Sequence, residues 1–159
     1  METPRWTITE AIAGAKRIFL DTAIIIYYIE QHPTYAPLLK PLFEPIDGIE
    51  VDFVLSPITL AEALVAPIRL NNRDAYQQLV DFILNAPRTD FILIGSEAAK
   101  LAAEFRARYN LVLTDALQIA VAVTAGCDTF LTNDKRLKRV SELSVLVLDD
   151  LRVSEANGA

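Results

Sequence analysis

The chain has 159 residues and a mass of 17.6 kDa, with 52% of its residues apolar and 23% charged, which suits one folded domain and excludes wholesale disorder. Lys and Arg number 15 against 21 Asp and Glu, a formal charge of −6; this excludes a non-specific coat for DNA, which needs a net basic face. A single cysteine, Cys127, and a single histidine, His32, exclude a disulfide framework and a multi-histidine metal site, and fit a reducing cytosol.

Thr7 and Glu10 have capping-box spacing, which predicts a short helix over about 8–15 that ends near Gly14. Arg17-Ile-Phe-Leu20 reads as a first strand that runs into Asp21-Thr22, a cap pair, and a helix to about Gln31. Pro33 stops it. A short helix is expected over 35–46, between Pro37 and Gly48, then a second strand over Val51–Leu55. Ser56-Pro57 is a strong helix start, with Ser at the cap and Pro in the first turn; that helix is expected to carry Glu62 and end near Pro67. Asn71–Asn85 is amphipathic at helical spacing. Asp90–Ile94 reads as a third strand, and Ser96 as the cap of a helix to about Tyr109. Thr114 starts an apolar helix, Ala116–Ala125, closed by Gly126. A fourth strand, Asp128–Thr132, a basic helical segment, Lys135–Val140, and a fifth strand, Val145–Leu148, complete the order.

Strands alternate with helices and are short apolar runs, as doubly covered strands are. This predicts an α/β fold: a three-layer α/β/α sandwich on a mostly parallel five-stranded sheet. The expected division is an N-terminal extension over 1–16, one domain over 17–153 and a tail over 154–159. The apolar stretches Ile18–Ile29 and Leu111–Ala125 are broken by Asp21 and Asp115 and are shorter than the roughly 20 residues a span requires. No signal segment is read in the first 17 residues, so a cytoplasmic protein away from membranes is expected.

None of the five glycines forms a phosphate-binding loop after a strand, which disfavours a nucleotide cofactor. Carboxylates among apolar residues stand out instead. Taken singly, Asp21 is a helix cap, Glu62 a surface glutamate, Asp115 a first-turn acid on a helix dipole and Asp134 an Asx turn. Together they follow strand ends or open helices, and in a parallel sheet those ends share one edge, where ligands bind at the point at which strand order reverses. If strand one lies beside strand four, that point falls between Asp21 and the pair Asp115 and Asp134. Four converging carboxylates repel one another, and a hard divalent cation, Mg²⁺ or Mn²⁺, removes the conflict.

Phe-Leu-Asp21-Thr, Ser-Pro-Ile-Thr-Leu-Ala-Glu62, Leu-Thr-Asp115-Ala-Leu-Gln-Ile-Ala and Phe-Leu-Thr-Asn-Asp134-Lys-Arg-Leu resemble the four acidic motifs of PIN-domain ribonucleases. That family includes the toxin components of VapBC toxin–antitoxin modules, and the resemblance covers roughly residues 17–148. It implies a PIN-like α/β/α fold and RNA cleavage with Mg²⁺ or Mn²⁺ to products bearing a 5′-phosphate. It also implies that Asp21, Glu62, Asp115 and Asp134 are catalytic and hold the metal, with Thr132 and Asn133 as supports of the pocket. A small antitoxin protein and a homodimer are the implied partners. The segment Met1–Lys16 precedes the point at which many relatives begin.

RNA must be reconciled with the acidic charge. Ten of the 15 basic residues lie between Arg69 and Arg139, and Lys135 and Arg136, directly after Asp134, are expected to hold the RNA backbone near the metal. Tyr27, Tyr28 and Tyr109 are candidates for stacking on bases. The rival reading is a non-catalytic PIN-like module that binds RNA or protein. A haloacid dehalogenase-type phosphatase would want a second Asp where Ala23 stands, and a receiver domain an acidic pair where Lys16-Arg17 stands.

Overall fold

The structure is a computed structural model and describes residues 3–4, 6–44 and 50–155. The expectations for residues 1–2, 5, 45–49 and 156–159, including Gly48 and the last part of the tail, lie outside the described residues.

Five strands carry the sheet: β1 (Arg17–Leu20), β2 (Asp52–Leu55), β3 (Thr89–Phe91), β4 (Thr129–Thr132) and β5 (Ser144–Val147). Their order is β3-β2-β1-β4-β5, and every neighbouring pair is parallel. The helices are α1 (Ile8–Ala11), α2 (Thr22–Ile29), α3 (Ala36–Phe43), α4 (Pro57–Ala63), α5 (Val65–Arg69), α6 (Arg73–Asn85), α7 (Ser96–Tyr109) and α8 (Leu113–Thr124). None among the described residues is long and apolar enough to cross a membrane.

Alternation along each strand sorts the core into two layers. Ile18, Leu20, Phe53, Leu55 and Leu131 pack against α1 to α4 and α6. Phe19, Val54 and Phe130 face the other way, onto α7 and α8, and the Phe19 and Phe130 rings stack at 5.1 Å. The segment before β1 joins the first layer: Ile8 and Ile12 are buried there. Thr7 and Glu10 form the capping box of α1, and Trp6 pairs with Leu151 beyond β5.

Several element ends differ from the sequence reading. The helix expected from Ser56 to Pro67 is two, broken at Leu64. Pro67 has no N–H to donate to the carbonyl of Ala63 four residues back, and its ring crowds that carbonyl. The third strand begins at Thr89 and stops at Phe91, because its partner β2 ends at Leu55; Ile92 N–H donates to the Leu55 carbonyl at 2.8 Å, and Leu93 beyond it is exposed. Ser96 is the first residue of α7, which Gly95 caps without a side-chain bond. Lys135–Arg139 is a 3-10 turn.

Sequence order runs one way through β1, β2 and β3 and the other through β4 and β5, so it reverses between β1 and β4. In parallel α/β sheets ligands bind at such a point, outside the C-terminal ends of the strands.

Candidate active site

Asp21 is the residue after β1 and the N-cap of α2. Its backbone N–H donates to the Leu131 carbonyl at 2.9 Å, which fixes the chain to β4 beside the reversal point. Its two carboxylate oxygens are both engaged: Oδ1 accepts from Thr22 N–H at 2.9 Å and Oδ2 from Thr132 Oγ1 at 2.7 Å. Thr132 is fully buried at the end of β4. Its hydroxyl therefore joins the ends of β1 and β4, and it also accepts from Asp134 N–H at 3.1 Å.

Burial pushes the Asp21 carboxyl up to about 6. The hydrogen bonds from Thr132 and Thr22 pull the other way, and the charges of Asp115 and Glu62 add to the rise. Asp115, half-buried in the first turn of α8, is also raised, first by burial, then by the charge of Asp134, with Arg136 opposing and Glu62 adding. The charges of Asp115 and Glu62 thus reach Asp21, and those of Asp134 and Glu62 reach Asp115.

Glu62 lies on α4 and is exposed. Thr22 Oγ1 donates to Glu62 Oε1 at 2.9 Å, so the residue after Asp21 holds the second acid. Asp134 caps the 3-10 turn and is taken up by a cation of its own chain. Arg136 Nε donates to Oδ1 at 3.0 Å and Nη2 to Oδ2 at 2.8 Å, which holds the carboxyl below its ordinary range. Among the described residues, no three His, Cys, Asp or Glu side chains are gathered closely enough to enclose an ion as they stand.

Asn133 bonds to the chain beyond β5. Its Oδ1 accepts from Asp149 N–H at 3.1 Å, and Tyr35 Oη donates to Asp149 Oδ1 at 2.7 Å, so Asn133 closes the turn after β4 against the chain beyond β5. Of the basic residues after Asp134, Lys138 pairs with Asp150, and Arg139 Nη2 donates to the Asn110 carbonyl at 3.4 Å. Lys135 is exposed. The stacking candidates are committed elsewhere. Tyr27 stacks on Tyr35 at 4.5 Å, Tyr28 donates to Glu44, and Tyr109 donates to Glu142.

The sequence reading missed a buried polar set beside the site. Ser56, Thr59 and Gln118 are between 0% and 2% exposed and bond to one another. The available signal was Gln118 itself, the one polar side chain between Ala116 and Val123.

The donor set of the four acids is all oxygen, with no nitrogen or sulfur. That chemistry suits a hard divalent cation such as Mg²⁺ or Mn²⁺ and disfavours zinc. Asp21, buried beside two further acids, is the carboxylate that gains most from a nearby positive charge.

The PIN domain family matches residues 18–143. No curated protein matches the sequence. Among solved structures, the chain is similar to VapBC2 from Rickettsia felis, bound to a DNA fragment from its promoter, at 22% identity and a TM-score of 0.63, covering 82% of this chain and 98% of that one. It is similar to FitAcB from Neisseria gonorrhoeae at 21% identity and a TM-score of 0.62, covering 84% and 99%. It is also similar to Mycobacterium tuberculosis VapC20, a sarcin–ricin loop cleaving toxin, at 16% identity and a TM-score of 0.58, covering 71% and 86%. At these identities the likeness is one of fold.

Proposed function

The chain belongs to the PIN domain family, and on that footing we propose that it is a Mg²⁺- or Mn²⁺-dependent endoribonuclease, the toxin of a toxin–antitoxin pair. Asp21, Glu62, Asp115 and Asp134 are its catalytic and metal-holding residues in this reading. The observation that carries it is the environment of Asp21. A carboxylate buried at the reversal point of a parallel sheet, with Asp115 and Glu62 close enough to raise it further, is a costly arrangement without a bound cation.

When bound, the ion lowers the pKa of a water and polarises the scissile phosphate. The chain's own residues do the rest. Thr132 and the Thr22 N–H aim the Asp21 oxygens, and Thr22 Oγ1 fixes Glu62. Lys135 and Arg136 lie directly after Asp134, where cationic side chains hold the RNA backbone as point and bidentate contacts. Arg136 leaves Asp134 to do so, which frees that carboxylate at the same moment. In-line attack of water at phosphorus gives a 5′-phosphate and a 3′-hydroxyl. The fold likeness to chains solved as toxin–antitoxin systems supports a small antitoxin as partner; a homodimer is a second proposed assembly.

The test is cleavage of a labelled RNA panel by purified protein with Mn²⁺, with EDTA, and with Asp21→Asn. Cleavage that needs the metal and is lost in the variant is the expected result. The second reading, a PIN-like module that binds RNA or protein without cutting, draws on the Arg136 clamp on Asp134. Retained RNA binding with no metal-dependent cleavage across the panel decides for it.

A further inference from the structure

We propose that Gln118 is a positioning residue: by tying α8 to the start of α4, its amide sets how far apart Asp115 and Glu62 stand. This rests on the reading of those acids as cation ligands. Gln118 is 2% exposed, and its two partners, Ser56 and Thr59, are 0% exposed. The Ser56 hydroxyl donates to Gln118 Oε1, and Gln118 Nε2 donates to Thr59 Oγ1 at 3.0 Å. Both hydroxyls also serve the cap of α4: Ser56 Oγ accepts from Ile58 N–H at 3.1 Å, and Thr59 Oγ1 from Ser56 N–H at 3.4 Å.

The placement of these bonds gives them a role beyond packing. Asp115 lies three residues before Gln118 on α8, and Glu62 three residues after Thr59 on α4; residues three apart are neighbours on a helix surface. The two helices belong to different layers, α8 against Phe19 and Phe130, α4 against Ile18 and Leu55. One amide, bonded at the C-terminal end of β2, thus links the layer that carries Asp115 to the helix that carries Glu62. An apolar side chain of the same length would fill the space without the cost of burying an amide, so packing alone does not call for glutamine. Because both bonds are dry, neither is readily exchanged for water, and the amide holds one geometry.

The experiment compares metal-free wild type with Gln118→Met, close in volume, and with Ile119→Val, an apolar change at the next residue, also fully buried. Thermal melts, Mn²⁺ titration by calorimetry and metal-free crystal structures are measured for each. Both variants are expected to melt lower. Gln118→Met is expected to bind Mn²⁺ about tenfold or more weakly, as residues behind metal ligands do when changed, and Ile119→Val to stay within about twofold. The Asp115 and Glu62 carboxylates in Gln118→Met are expected to move apart or together by more than about 0.5 Å, the tolerance of a working site. If Gln118→Met fails to fold, Ser56→Ala, which removes one of the two bonds, takes its place. Superimposable carboxylates, or unchanged Mn²⁺ affinity where wild type binds it, overturn the proposal. Wild type that binds no Mn²⁺ overturns the cation reading instead, and the crystal comparison still decides the role of Gln118.

Discussion

Replacing Asp21 with asparagine is expected to stabilise the metal-free protein at neutral pH while abolishing cleavage. The folded carboxyl titrates near 6, against an ordinary value of 3.8. Between those two values the folded chain holds the proton and the unfolded chain has lost it, so stability falls as pH rises through that window. Above pH 6 the loss is complete and amounts to about 3 kcal/mol, at 1.36 kcal/mol per unit. Asparagine escapes it. It gives up something in return, since an amide has one oxygen where Asp21 uses two, so either Thr132 Oγ1 or Thr22 N–H loses its acceptor. An unmet buried donor costs about 1–3 kcal/mol. The net gain is about 0–2 kcal/mol at pH 7, which raises the melting point by up to roughly 8 °C in a chain of this size. At pH 4 the wild-type carboxyl is neutral in the folded state, and the advantage disappears. Melts of both proteins in EDTA from pH 4 to pH 8 read this directly. Added Mn²⁺ at about 100 times its Kd is expected to reverse the order, by stabilising wild type alone by about 2.7 kcal/mol. A variant that melts below wild type at pH 7, or an offset that does not change with pH, refutes the reasoning.

Asp115→Asn is expected to abolish cleavage and leave the fold intact, with a melting point in EDTA at or up to roughly 3 °C above wild type. Its gain is smaller than that of Asp21 because the carboxylate is half-exposed and screened, and because it gives up a first-turn dipole contribution of about 0.3–1 kcal/mol; a lower melting point with full cleavage would remove Asp115 from the site. Arg136→Ala is expected to move two affinities in opposite directions. Mn²⁺ binding tightens about two- to fivefold as Asp134 is released from an exposed ion pair, while RNA binding in EDTA weakens and its salt slope falls by about one; calorimetry and fluorescence anisotropy check the two.

The fold was legible because local chemistry and global pattern agree. Arg17–Leu20 is followed at once by the capping residue Asp21, and Thr129–Thr132 is followed by Asn133 and the capping residue Asp134, so both strand ends are marked in the sequence. Ser56-Pro57 marks the start of α4 in the same way. What was not legible depends on partners distant in the chain. The third strand stops at Phe91 because β2 runs out at Leu55, and nothing within Phe91-Ile-Leu-Ile94 announces that. The break at Leu64 was readable in principle from Pro67, which acts on a carbonyl four residues back and not on its own position.

The candidate site divides along the same line. Asp21, Glu62 and Asp115 are visible because a charge among apolar residues is unusual, and Asp134 because it comes just after a strand. The contacts that tune them are not visible. Thr132 holds Asp21 only because β1 lies beside β4, and residues 111 apart in sequence give no hint of a 2.7 Å bond. Lys135 and Arg136 read alike in sequence as phosphate contacts. In the structure Arg136 reaches back two residues onto Asp134, because a guanidinium fork fits a carboxylate bidentately and an ammonium does not. Gln118 is the sharpest case. A lone amide within an apolar helix signals a buried polar partner from sequence alone, since an unpaired one would cost too much to keep. Which partner it has, and hence that it links the helices carrying Asp115 and Glu62, depends on the layer order that brings β2 and α8 together. Around the acids, Thr132 bonds Asp21, Thr22 bonds Glu62 and Arg136 bonds Asp134, contacts that only the folded chain reveals.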